Sequence, residues 1–121
     1  MAYFLRYTNT ASKDLQRGTS LHCSGLDKQD AQTKGQAAKM LDIEPSEITF
    51  ANGVWCQILN GLCGYLLEAS TIEEAIEEVF ENERQFAFIG RPVIFSGKYS
   101  NDSELVPDGD LFIPFKIEAE L

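Results

Sequence analysis

Apolar positions along the chain change period several times, and the changes mark the elements. Tyr3–Thr8 and Thr19–Cys23 are short runs of aromatic and β-forming residues, which predict two strands. Between them Thr10 or Ser12 can cap a short helix ending at Arg17, with Gly18 as the left-handed residue that stops it. From Asp27 to Leu41, Ala31, Gly35, Ala38 and Leu41 recur at helical spacing. A helix with a narrow, small-residue face follows, and Pro45 lies just beyond it, where helices commonly stop.

The central run has two assignments. Asn52-Gly53 and Asn60-Gly61 are both favoured two-residue hairpin turns, since Asn and Gly tolerate the positive φ of a type I′ turn. They divide the run into a meander of Ile48–Ala51, Val54–Leu59 and Leu62–Glu68. The competing assignment is one buried helix over Val54–Leu67, against which Gly61 and Gly64 count. Ser70-Thr71-Ile72-Glu73 then fits a capping box, with the Ser70 hydroxyl accepting from the Glu73 N–H. Ile72, Ala75, Ile76, Val79 and Phe80 continue as one apolar stripe, and the opposite face carries Glu73, Glu74, Glu77, Glu78 and Glu81.

Strand character returns at Phe86–Ile89 and Val93–Phe95, and again over Leu111–Glu118, where Leu111, Ile113, Phe115 and Ile117 alternate with polar or bulky neighbours. Pro114 cannot donate to a ladder, which predicts an edge strand. The connection Ser100–Asp110 is long for a hairpin and turns at Pro107-Asp108-Gly109. These elements predict a single α+β domain over residues 1–121, a mostly antiparallel sheet with two or three helices. Trp55, Phe50, Ile76, Phe80, Phe88, Ile94, Phe95, Phe112 and Phe115 are its expected core.

Composition agrees with a folded domain: 44% of the 121 residues are apolar and 24% charged, outside the disordered range. No stretch approaches about 18 continuous apolar residues, and no basic segment precedes an apolar run at the start, so the expectation is a cytoplasmic protein with reduced thiols and no membrane association. Charge sharpens the picture. Residues 1–40 hold six basic against three acidic side chains, whereas residues 41–121 hold four against sixteen, making +3 and −12 of the net −9. Either oppositely charged lobes neutralise each other in the fold, or the acidic part faces a basic partner. Direct nucleic-acid binding by the whole domain is opposed, because phosphate contacts demand positive charge.

Several chemistries fail on spacing. Cys23, Cys56 and Cys63 contain no Cys-x-x-Cys pair, which excludes a zinc ribbon. The single histidine, His22, would have to serve any Ser-His or Cys-His mechanism, and its neighbour Cys23 points to the opposite face of a strand. A half-buried histidine and three small apolar cysteines are the simpler expectation. Gly90 and Gly97-Lys98 lack P-loop spacing, and Tyr99 stands where Ser or Thr is required. Asp102, Glu104, Asp108 and Asp110 lack the register of an EF-hand.

Two constellations remain. Glu73/Glu77, Glu74/Glu78 and Glu77/Glu81 are like charges four apart, each pair costing about 0.2–0.5 kcal/mol on an isolated helix. A basic group nearby, the protein's own or a partner's, would relieve them. Secondly, Arg17-Gly18-Thr19-Ser20 resembles the Arg-Gly and Ser/Thr pieces of ADP-ribosyltransferases, which grip NAD in a split sheet. That four-residue resemblance implies an NAD- or nucleotide-using transferase built around Arg6, Arg17 and Ser20. A late-strand glutamate, Glu118 or Glu68, would position the nucleophile or stabilise an oxocarbenium ion.

The function expected from the residues is binding: an acidic inhibitor or regulator of a basic protein partner, including one that itself handles nucleic acid. Glu73, Glu74, Glu77, Glu78, Glu81, Asp102, Glu104, Asp108 and Asp110 would form the binding surface, with no cofactor and no metal. The alternatives are the transferase and a structural subunit of a larger assembly, a homo-oligomer among them.

Overall fold

The computed structural model describes residues 2–82, 90–105 and 109–121. The expected strand Phe86–Ile89, Phe88 as a core residue and the Pro107-Asp108 turn lie outside these residues. Along the described chain run β1 (Ala2–Thr8), α1 (Ala11–Arg17), β2 (Thr19–Cys23), α2 (Lys34–Leu41), β3 (Ile48–Ala51), β4 (Val54–Asn60), β5 (Leu62–Leu66), α3 (Ile72–Glu81), β6 (Arg91–Tyr99) and β7 (Asp110–Glu120). Antiparallel sheets with intervening helices make this an α+β fold, as the pattern implied. The chain divides into two compact units, one of Met1–Gly18 with Asn60–Leu121 and the other of Thr19–Leu59.

In the first unit β1, β5, β7 and β6 close into a small barrel in that order. β1 pairs with β6 along its whole length, from Ala2 opposite Gly97 to Thr8 opposite Arg91. Adjacent residues Phe4 and Leu5 are both fully buried, because both faces of the strand are covered. Phe4 packs with Ala11, Leu62, Val93, Phe95 and Phe112, and Leu5 with Leu67, Ala75, Val79 and Ile94. Helix α1 thus supplies one cluster and α3 the other. Phe112 stacks on Phe4 at 4.5 Å between ring centroids. Gly18 ends α1 at φ 60°.

Strand β7 departs from simple alternation. Gly97 pairs with Pro114 and Ser96 with Lys116, while Phe95 pairs with Ile117 and Ile94 with Ala119, so Phe115 and Glu118 are the extra residues of two bulges. Each bulge resets which residues face inward. Phe115, expected in the core, is therefore 54% exposed, while Leu111 and Phe112 are both fully buried. Nor is β7 an edge strand, since β5 pairs with it over Asp110–Phe112 and β6 over Phe112–Glu120. Pro114 lies past the last residue paired with β5, at a register shift, where its missing N–H removes no bond to that strand.

The start of α3 lies one residue later than the capping-box expectation. Thr71, not Ser70, accepts from the Glu74 N–H at 3.2 Å, and Glu74 reaches back to the Ser70 N–H at 3.1 Å. Ala75 and Val79 are buried and Ile76 is half-buried, but Phe80, on the margin of the stripe next to Glu73 and Glu77, is 61% exposed. Phe80→Ala should consequently cost under about 1 kcal/mol in chemical denaturation, against about 3–5 kcal/mol for Phe112→Ala.

The second unit is a three-stranded sheet, order β2-β4-β3, with α2. The Asn52-Gly53 turn forms as expected, with φ of 56° and 79°, and pairs Ile48 with Gln57 through Ala51 with Val54. The meander stops there. Gly61 has φ 132°, and β5 joins the barrel between β1 and β7 instead of pairing with β4. Helix α2 is shorter than expected because Asp27 accepts from the N–H groups of Gln29 and Asp30, making a local turn that competes with helix. It starts at the Thr33/Gln36 capping box. Ala31, Ala37, Ala38, Ile48 and Trp55 form this unit's core, in which the Trp55 indole N–H donates to the Ala31 carbonyl at 2.8 Å. Phe50, expected there too, is 39% exposed, edge-on to Trp55 and 4.8 Å from the Lys28 ammonium. No helix among the described residues is long and apolar enough to cross a membrane.

Candidate functional site: the acidic cleft along α3

The outward face of α3 and the chain leaving β5 border an open cleft of about 560 Å³. Its carboxylates are Glu68, Glu74, Glu77, Glu78 and Glu81, and Leu66, 40% exposed, supplies an apolar floor. Two of these glutamates also hold the cleft in shape. Glu78 accepts from the N–H groups of Glu68 at 2.9 Å and Ala69 at 3.0 Å, and Glu74 accepts from Ser70. The like charges read from the sequence are thus relieved in part by backbone donors from residues 68–70, a contribution that helical periodicity does not reveal. Asn82 ends the helix by donating its side-chain amide to the Glu78 carbonyl. Glu73 and Glu74 in the first turn favour the helix dipole, while Glu81 in the last opposes it.

Among the described residues the ion pair is Arg6 with Asp14, so no described cation neutralises the cleft. No described group of three or more His, Cys, Asp or Glu side chains is arranged to hold a metal. The charge contrast along the sequence does not separate the units. The first unit holds seven basic against fourteen acidic residues and the second three against five, so each is acidic by itself, at −7 and −2.

The loop carboxylates serve a different purpose. Asp102 accepts from the Asn60 N–H at 2.9 Å, and Asp110 accepts from the Leu66 N–H at 3.0 Å and the Tyr99 hydroxyl at 2.9 Å. Burial and the Asp110 carboxylate together raise the Tyr99 phenol above its ordinary value. Glu104 is exposed in a 3-10 turn over Ser103–Leu105, and Asp108 lies outside the described residues.

The residues nominated for a transferase are dispersed in role. Arg6 donates to Asp14 at 3.2 Å and to the Cys63 carbonyl at 2.8 Å. Asp14 is buried and also accepts from Thr8 at 2.6 Å and Thr10 at 3.2 Å. Burial alone would raise its carboxyl, but the bonds from Thr8 and Arg6, the Arg6 charge and the bond from Thr10 outweigh it and lower the pKa. Arg17 is the exposed last residue of α1, Glu118 a bulge residue of β7, and Glu68 part of the acidic cleft. Ser20 lies half-buried on β2 in the second unit.

His22 and Cys23 are both exposed, against the expectation of burial, because β2 is an outer strand of its sheet. Cys56 is buried and Cys63 half-buried. The comparisons find no matching family model, no matching curated protein and no matching solved structure.

Proposed function

We propose that this protein acts by binding, its α3 cleft receiving a basic segment of a protein partner that it inhibits or regulates in a cytoplasmic setting. The observation carrying this reading is a set of five glutamates around one open cleft with no described cation to pair with them. Glu74 and Glu78 fix the cleft's shape, and Glu77 and Glu81 on the exposed helix face, with Glu73 beside them, offer charge to a Lys- or Arg-bearing segment. Leu66 adds an apolar contact at the floor. The transferase reading gains less, because the Arg6 guanidinium is committed to Asp14 and a backbone carbonyl.

The test separates cleft charge from cleft shape. Glu73, Glu77 and Glu81 changed together to Gln should leave the melting temperature within a few degrees. Affinity for a Lys-rich peptide, measured calorimetrically at about 0.1 M salt, should fall roughly tenfold or more. Raising salt to about 1 M, where the Debye length shrinks to about 3 Å, should weaken the wild type towards the variant. Equal affinity of the two proteins at low salt would overturn the reading.

A further inference from the structure

Two of the three thiols face each other across neighbouring strands of the second unit. Cys23 ends β2 and Cys56 lies in β4, and the Cys56 thiol donates to the Cys23 sulfur at 2.6 Å, against ~2.05 Å for a disulfide bond. The flanking backbone is fastened: the Ser24 N–H donates to the Trp55 carbonyl at 2.9 Å and the Trp55 N–H to the Leu26 carbonyl at 2.8 Å. With the two sulfurs already 2.6 Å apart, bond formation needs little backbone movement. Carbonyl acceptors for the Cys56 thiol are more distant, Ala51 at 3.7 Å and Val54 at 3.8 Å.

The two thiols differ in access. Cys23 is exposed and Cys56 fully buried. Burial first, then the hydrogen bond and charge of Cys23, push the Cys56 thiol up to about 11, which keeps it protonated at neutral pH. One reachable sulfur and one sheltered sulfur within bonding reach are the arrangement that two-step thiol exchange uses.

We infer that Cys23 and Cys56 form a modification site, a dithiol that a low-molecular-weight disulfide such as oxidised glutathione converts into an intrachain disulfide. In the first step the Cys23 thiolate attacks one sulfur of the oxidant, forming a mixed disulfide and expelling one glutathione thiolate. In the second, Cys56 gives its proton to that thiolate and attacks the Cys23 sulfur, breaking the mixed disulfide and releasing the second glutathione. The protein loses two electrons and two protons, and the oxidant gains two electrons as its own disulfide becomes two thiols. The new bond closes the chain from Cys23 to Cys56, which contains α2, β3 and most of the unit's core. In a reducing compartment the exchange runs backward with excess thiol.

The full chain incubated with oxidised glutathione and mapped without reduction by peptide mass spectrometry should show a Cys23–Cys56 linked peptide and the loss of two hydrogens. The melting temperature should rise on the order of 10 °C and return on reduction. Cys56→Ala should stop at a glutathione adduct on Cys23, Cys23→Ser should give no intrachain bond, and Cys63→Ser should behave as wild type. A persistent wild-type adduct on Cys23, a crosslink involving Cys63, or an unmodified Cys23–Cys56 pair at full oxidant excess would each overturn the proposal. The wild-type map decides this even where a variant folds poorly.

Discussion

Gly64→Ala is expected to lower the unfolding free energy by about 3 kcal/mol or more. A β-carbon at residue 64 would lie 2.6 Å from the Leu5 carbonyl oxygen and 2.8 Å from Cε1 of Phe112. The oxygen belongs to β1, whose neighbouring side chains Phe4 and Leu5 anchor the two core clusters, so the strand cannot move aside cheaply. Overpacking typically costs about 1–3 kcal/mol, and here the obstacle is backbone on one side and a fully buried ring on the other. Gly35→Ala is the matching control: its β-carbon meets nothing within 4 Å, and it sits in the first turn of α2. That change should gain up to about 1 kcal/mol. Urea denaturation of both variants checks the pair. Similar stabilities would show that the barrel tolerates a side chain between β5 and β1.

Asp14→Ala should cost roughly 2–4 kcal/mol, because it leaves Arg6 without its carboxylate and the Thr8 and Thr10 hydroxyls without their acceptor. The same group makes stability depend on pH. Its pKa in the folded chain is lowered from 3.8, so the unfolded chain binds the proton more readily. The stabilisation is complete above the unfolded pKa and is lost as pH falls through the folded value, on the acid side of about pH 4. Asp27 adds an effect of the same sign, since N–H donors from Asp30 and Gln29 lower its carboxyl as well. Asp14→Asn leaves Asp27 in place, so denaturation midpoints between about pH 6 and about pH 3 should fall less steeply for that variant than for the wild type. Parallel slopes would place the acid sensitivity elsewhere.

Legibility in the sequence followed the range of the interaction involved. Helix α1 ended at Gly18 and the hairpin turned at Asn52-Gly53 because single residues there adopt positive φ. The α3 stripe was legible because periodicity expresses a packing face directly, and so was its glutamate face. Misplacements arose where local signals competed. The box at Ser70 lost to the one-residue shift at Thr71, and the helical spacing from Asp27 yielded to an aspartate turn. Asn60-Gly61 looks like a second hairpin turn, yet the chain passes there from one sheet to the other.

What the sequence determined by itself was the α+β class, the acidic balance and the helix that carries the glutamates. Each depends on residue type and near neighbours alone. The tertiary structure decided that β5 closes a barrel, that two bulges turn Phe115 outward, and that Arg6 belongs to Asp14. It also showed that residues 68–70 hold Glu74 and Glu78 from the backbone, and that Cys23 meets Cys56. These are pairings between distant segments, fixed by strand register and by which buried groups must find hydrogen-bond partners, and no spacing along one chain encodes them locally.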